Sequence, residues 1–189
     1  MAARARSGEI ALRRCAATDI AAVAAIYAYH VLHGLASFET EPPSAAEMLT
    51  RYRAITDRGF PYLVAEIGEE IVGYAYASSY RARPAYRYTA ENSVYIRKGW
   101  EGRGIGKRLL AALLADCEAI GLRQIVAVIG DSANQASIRL HRTLGFEMVG
   151  TIRAAGYKFD RWVDCVLMQR AIGPGDSAPP SGSNMERRR

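Results

Sequence analysis

The chain has 189 residues, half of them apolar and 23% charged, which fits one globular domain of ordinary composition and excludes a disordered chain, a fibre and two independent cores. The formal charge of +6 sits mainly at the ends: the first fourteen residues carry +3 and residues 173–189 carry +1, which leaves +2 for the body between them. That body is too nearly neutral to read a phosphate backbone, so no nucleic-acid partner is expected.

No apolar run reaches the ~18 residues of a membrane span, and the first residues lack the apolar core of a secretory leader. No membrane partner is expected, and the expected location is cytoplasmic. Cys15, Cys117 and Cys165 form no CxxC pair, so neither a disulfide framework nor a metal site is legible, and a reducing compartment fits.

Residues 1–9 read as a flexible basic N-terminus. A first strand is predicted over residues 10–15. Thr18 then caps a helix to about Leu32, on which Ile20, Val23, Ala24, Tyr27 and Val31 recur at helical spacing. His30 and His33 lie three apart on that helix with no acidic or Cys partner pattern, so they are assigned to packing or solvent contact rather than to a metal. Residues 37–43 must form an extended loop, because Pro42 and Pro43 forbid regular helix. Ser44 and Glu47 read as a capping box opening a helix to about Arg58.

Residues 62–67 and 71–79 flank Gly68-Glu69-Glu70 as a β-hairpin, and 89–97 is a further strand. A long helix follows over 104–120, stopped by Gly121, then a buried strand over 124–129 and a helix over 133–144, stopped by Gly145. Residues 146–152 and 159–168 close the sheet. From Gly173 the sequence is rich in Gly, Pro and Ser and cannot repay its ordering entropy, so 173–189 reads as a disordered tail and 10–172 as the domain. The order β-α-α-β-β-β-α-β-α-β-β implies an α/β fold with a mixed sheet and helices on its faces.

Chemistry is most legible in residues 93–114, where a strand passes through a glycine-rich turn directly into an amphipathic helix. The unpaired amides of about Arg103 to Lys107 and the helix dipole suit a phosphate or pyrophosphate. Gly102, Gly104 and Gly106 allow close approach, while Arg103, Lys107 and Arg108 add positive charge. Two better-known phosphate motifs fail. Glu101 stands where a Walker loop needs its first glycine and Arg108 where it needs Ser or Thr; Lys107 occupies the third glycine position of a dinucleotide fold.

Glu101-Gly102-Arg103-Gly104-Ile105-Gly106 resembles the Gln/Arg-x-x-Gly-x-Gly/Ala signature of the GNAT superfamily of acetyl-CoA-dependent N-acyltransferases, with Glu at the first position. Residues 134–146, from Asn134 through Ser137 and His141 to Gly145-Phe146, look like the second cofactor-binding helix of that family, with His141 in place of the usual Tyr. A narrower resemblance, to the phosphinothricin and methionine sulfoximine (sulfone) N-acetyltransferases, runs through four blocks in order. These are Ser37-Phe38-Glu39-Thr40, residues 86–95, residues 140–146, and residues 155–162. It implies a single GNAT-type domain with a mostly antiparallel sheet of about seven strands and four helices, acetyl-CoA as acetyl donor, no metal, and a homodimer.

The resemblance implies the following roles. Glu91 is the candidate base, acting directly or through a water, against the alternative of a surface Glu on a strand. His141 is its partner, protonating the thiolate or relaying the amine proton, and the two assignments are interchangeable. Gly102, Arg103, Gly104, Ile105, Gly106, Lys107, Asn134 and Ser137 hold the cofactor. Val94, Tyr95 and Ile96 offer backbone to its pantetheine arm, although the apolar pair Val94 and Ile96 is equally explained by the core. Arg87 holds the carboxylate of an amino-acid-like acceptor, with Thr89 beside it, and Phe38 and Glu39 form the opposite wall. Tyr157, Lys158 and Trp162 belong to the site edge or to a subunit contact. The implied reaction is acetyl transfer to the α-amine of a small amino-acid analogue in a ternary complex. The alternatives are another amine (a polyamine, an aminoglycoside or a protein N-terminus) and a sensor that binds acetyl-CoA without turnover.

Overall fold

The structure is a computed structural model that describes residues 8–180. Most of the expected N-terminal segment and residues 181–189 of the expected tail lie outside the described residues. In chain order the elements are β1 (Ala11–Arg14), α1 (Ile20–His33), α2 (Ala45–Thr56), β2 (Tyr62–Ile67), β3 (Glu70–Ser79), β4 (Thr89–Ile96), α3 (Ile105–Ala119), β5 (Gln124–Gly130), α4 (Gln135–Thr143), β6 (Glu147–Lys158) and β7 (Arg161–Ala171).

Alternation along the central strands decides the layering. Leu63, Ala65, Ala75 and Ala77 share one buried face with Leu109, Leu110 and Leu113 of α3 and Ile138 of α4. Tyr62, Val64 and Tyr74 face the other way, onto Val23, Tyr27 and Val31 of α1 and Met48 of α2. The sheet is therefore covered on both sides, and each fully buried leucine of α3 contributes about 1.5–3 kcal/mol of apolar burial.

The seven strands run in the order β1-β2-β3-β4-β5-β7-β6, and every neighbouring pair is antiparallel except β4 with β5. That parallel pair is short, joining Thr89–Asn92 only to Gln124–Ala127. Beyond it β4 continues against β3 as far as Ile96, and β5 continues against β7 as far as Gly130. The two strands thus part in the middle of the sheet and leave two facing edges unpaired.

Three local expectations are corrected. Thr18 does not cap the first helix: Ala17–Asp19 form a 3-10 turn, and the Asp19 carboxylate accepts the Ala16 N–H at 2.8 Å. Only half of the second cap forms, because the Ser44 hydroxyl accepts the Glu47 N–H at 3.1 Å whereas the Glu47 carboxylate turns to Arg51. The last hairpin is longer than expected. A two-residue turn at Phe159 and Asp160, φ 50 and 55, lets β6 and β7 pair up to Lys158 and Arg161. Inside it Ala154 (φ 50) bulges out, its N–H held by the Asp164 carboxylate at 3.0 Å. Within the segment read as a tail, residues 173–180 form turns in which Arg123 donates to the Gly175 and Pro179 carbonyls.

Candidate active site

A cleft of about 650 Å³ opens where β4 and β5 part, between the start of α3, α4 and the loop after α1. Gly104 stands at the start of α3 with φ 77, and no side chain caps it. The first intrahelical bond runs from the Arg108 N–H to the Gly104 carbonyl at 3.1 Å, so the amides of Ile105, Gly106 and Lys107 point out of the helix end. A β-carbon at Gly102 or Gly104 would meet nothing within 4 Å; the space beside the turn is open, and the positive φ suits glycine. This is the geometry that receives an anion.

Of the residues expected to hold a cofactor, Gly102, Gly104, Gly106, Lys107, Asn134, Ser137, Val94, Tyr95 and Ile96 all line the cleft. Two differ. Ile105 has its side chain in the core, 1% exposed, and can offer only its amide. The guanidinium of Arg103 lies over the Trp100 ring at 4.5 Å. Glu101, which departs from the family signature, accepts the Gly99 N–H at 2.7 Å and so braces the turn. Asn134 accepts the Ser137 N–H at 3.2 Å and caps α4.

The side chains of Val94 and Ile96 pack on the core, and both residues line the cleft. The free end of β4 is tied down by a residue set aside in the sequence: the His30 imidazole donates from Nε2 to the Ile96 carbonyl at 2.8 Å. Its three-residue spacing to His33 gave no sign of this, because the partner lies 66 residues away.

Glu91 and His141 do not form one hydrogen-bonded pair. Glu91 and Asn92 are consecutive on β4, so their side chains leave opposite faces. Asn92 reaches the His141 ring on the α4 side, which puts the Glu91 carboxyl on the α1/α2 side with Tyr76 and Tyr95. Burial pushes the Glu91 carboxyl above its ordinary value. His141 is 2% exposed, and burial lowers its pKa, partly opposed by the Ser137 carbonyl. The ring Nδ1 lies 2.8 Å from that carbonyl, which can only accept, so Nδ1 carries the proton and Nε2 accepts from the Asn92 carboxamide at 2.9 Å. Phe146 closes the ring edge-on at 5.0 Å.

The four expected acceptor residues fall into two places. Arg87 and Thr89 line a cavity of about 340 Å³ together with Arg58, Arg81 and Arg83. Arg87 itself is exposed and lies over Tyr88 at 4.7 Å. Thr89 is two residues before Glu91 on β4, ~6.6 Å along the strand. Phe38 lies elsewhere, against Gly130 and Gly156: a β-carbon on Gly130 would be 3.1 Å from its ring and one on Gly156 would be 2.6 Å from it. Glu39 already holds Arg51 at 2.6 Å and accepts from the Tyr27 hydroxyl at 2.9 Å. Lys158, one of three residues left between the site edge and a subunit contact, is 4% exposed and donates to the Gly34 and Ser37 carbonyls. Among the described residues no three of His, Cys, Asp and Glu gather as a metal requires, and no helix is long and apolar enough to cross a membrane.

Comparison with known proteins identifies the family. Residues 26–146 match the acetyltransferase (GNAT) family. The chain is 48% identical over 178 residues to a phosphinothricin N-acetyltransferase of Alcaligenes faecalis, covering 90% of each chain. It is 38% identical over 169 residues to the L-methionine sulfoximine/L-methionine sulfone acetyltransferase of Pseudomonas paraeruginosa, covering 89% of this chain and 98% of that one. Among solved structures, a GNAT superfamily phosphinothricin acetyltransferase from Sinorhizobium meliloti in complex with AcCoA superposes with a TM-score of 0.90 at 45% identity, covering 93% of this chain and 95% of that one.

Proposed function

The chain belongs to the acetyltransferase (GNAT) family, and from that premise we propose that it moves an acetyl group from acetyl-CoA to the α-amine of a small amino-acid analogue. Phosphinothricin, methionine sulfoximine and methionine sulfone are the acceptors proposed, since related chains carry those names. The observation that carries the reading is the uncapped start of α3 opening on the cleft where β4 leaves β5.

The amides of Ile105, Gly106 and Lys107, with the Lys107 ammonium, hold the diphosphate. The free edge of β4 from Val94 to Ile96 aligns the pantetheine arm as a neighbouring strand would. Acetyl-CoA supplies a thioester carbonyl that an amine can attack once the amine is neutral. A free α-amine titrates near ~7.7–8.0, so modest assistance suffices. Glu91, its proton affinity raised by burial, takes that proton directly or through a water.

The guanidinium groups of Arg58, Arg81, Arg83 and Arg87 around one cavity give an anionic acceptor its counter-charge and repel a polyamine or an aminoglycoside. Arg87 is one member of that cluster rather than its sole grip. The three described cysteines are free and buried, as suits the reducing cytoplasm, where acetyl-CoA is available. A homodimer is part of the reading. β6 is an edge strand, and its exposed Met148, Val149 and Ile152 make an apolar margin suited to a second copy.

Incubation of the full chain with acetyl-CoA, a thiol reagent and a panel of amines tests the reading. Release of free CoA with amino-acid analogues that carry a free carboxylate, and little with spermidine, is expected. Release with polyamines alone would overturn the acceptor class, and binding without release would make the protein a sensor. Sedimentation at micromolar concentration tests the dimer.

A further inference from the structure

The Asn92 carboxamide is 5% exposed and only one of its two polar atoms has a partner: Nδ2 serves His141, while Oδ1 is buried without a hydrogen-bond partner among the described residues. A buried acceptor left in this state costs stability unless something donates to it. Beside it lies a space of about 50 Å³, bounded by Asn92, Ser137 and His141 on one side and by the parted strands at Val94 and Ile129 on the other. That volume holds a water molecule, and the wall is polar enough to keep it.

Taking acetyl transfer as proposed above, we infer that Asn92 is a positioning residue of the reaction centre: it holds His141 in the Nδ1–H form and anchors, through Oδ1, one water in the gap between β4 and β5. His141 then acts only through the carboxamide. Its fixed Nε2 lone pair forces the amide to present Nδ2 to the ring, which leaves Oδ1 as the acceptor without a partner, and Ser137 fixes the other side of the ring. The water gives one hydrogen to Oδ1 and keeps the second for the sulfur that departs when the amine–carbon bond forms and the carbon–sulfur bond breaks. The negative charge left on the thiolate meets a held donor, and no proton changes hands at His141. The amine proton leaves on the opposite face, toward Glu91. Electrostatic stabilisation of this kind needs a donor fixed in advance, which a buried amide supplies better than a free water network.

Nitrogen NMR on the full labelled chain without cofactor tests the arrangement independently of turnover. Expected are a protonated Nδ1 and an unprotonated Nε2 on His141, a coupling across the hydrogen bond from Asn92 Nδ2 to Nε2, and a long-lived water contact at the Asn92 amide. A protonated Nε2, or the absence of both the coupling and the water contact, overturns the proposal. In the enzyme assay Asn92→Ala lowers kcat on the order of tenfold to a hundredfold with little change in KM for acetyl-CoA. Asn92→Ser restores part of the loss, because a hydroxyl can both donate to Nε2 and accept from water. An unchanged kcat in a folded Asn92→Ala chain also overturns it. If the wild-type chain releases no CoA, the acetyl-transfer reading fails while the NMR result still decides the tautomer and the water.

Discussion

Lys158 donates a hydrogen bond to the carbonyl oxygen of Ser37 at 2.8 Å, joining the end of β6 to a loop 121 residues earlier in the chain. A second bond from the same ammonium reaches the Gly34 carbonyl at 2.9 Å. Gly34, Leu35 and Ala36 line the cleft, so this buried cation fixes one wall of the cleft without entering it. Lys158→Met keeps the length and removes both bonds, leaving two carbonyls without their donor. The expected cost is about 2–4 kcal/mol of stability, read by urea unfolding, with faster proteolysis in residues 34–38 and a raised KM for acetyl-CoA. Unchanged proteolysis and KM would show that the loop is held by other means.

The same loop is seated on a glycine. A β-carbon at Gly130 would lie 2.1 Å from the Leu35 carbonyl oxygen, and a backbone atom cannot step aside as a flexible side chain can. Gly130→Ala is therefore expected to cost about 1–3 kcal/mol and to loosen the Phe38 ring from its place against Gly130 and Gly156. Gly150 is the control: nothing lies within 4 Å of its β-carbon position and its φ is not in the left-handed region. Gly150→Ala should change stability by about 0.5 kcal/mol or less. Thermal melts of the two variants side by side decide the matter.

Much of this was legible in the sequence, and the rest was not for identifiable reasons. The helix stops at Gly121 and Gly145, the hairpin around Gly68 and the glycine turn before α3 are local signals, and each appears where its residues predict. The parting of β4 and β5 is a relation between strands whose nearest ends are 28 residues apart, and neither strand's own pattern reveals it. Turn chemistry misled at Phe159 and Asp160, because Phe is rare at positive φ. Glu39 and Arg51, twelve apart across two prolines, could not be paired in advance, so Glu39 was free to be read as a site carboxylate. Period two along β4 did contain the separation of Glu91 from His141. It became visible once Asn92 was seen to be the residue that meets the imidazole.

The Glu91 carboxyl, held above its ordinary value by burial, fixes the direction of two pH effects. With Glu91 as the proposed base, the carboxylate is the active form, so kcat/KM should fall as the medium is acidified, along a limb that begins above the ~4.3 of a free glutamate. Glu91→Gln removes that limb and lowers kcat by about 10²- to 10⁴-fold. Stability moves the other way. A carboxyl whose folded pKa is raised binds its proton more tightly in the folded state, so ionising it at neutral pH costs stability. The Gln variant should melt higher than wild type at neutral pH, and the difference should shrink as acid protonates Glu91. A Gln variant with full activity would remove Glu91 from the mechanism.

Asp19 provides the opposite case, away from the site. Its carboxylate accepts from the Arg13 guanidinium at 2.6 and 2.9 Å and from the Ala16 N–H at 2.8 Å, and chiefly the Arg13 bond holds its pKa below the usual value. A depressed folded pKa means that the stabilisation is complete above the unfolded value of about 3.9 and is lost as the pH falls through the folded one. Asp19→Asn keeps the shape and most of the Ala16 contact while removing the charge, and Arg13 retains Glu66 at 2.8 Å, so the guanidinium is not stranded. The loss expected at pH 7 is therefore about 2 kcal/mol rather than the larger cost of an orphaned buried charge. Urea unfolding of both chains at pH 7, and again at successively lower pH, should show the gap closing only below ~3.9. A gap that stays constant through that range would mean that shape at the start of α1, and not the Arg13–Asp19 charge pair, supplies the stability.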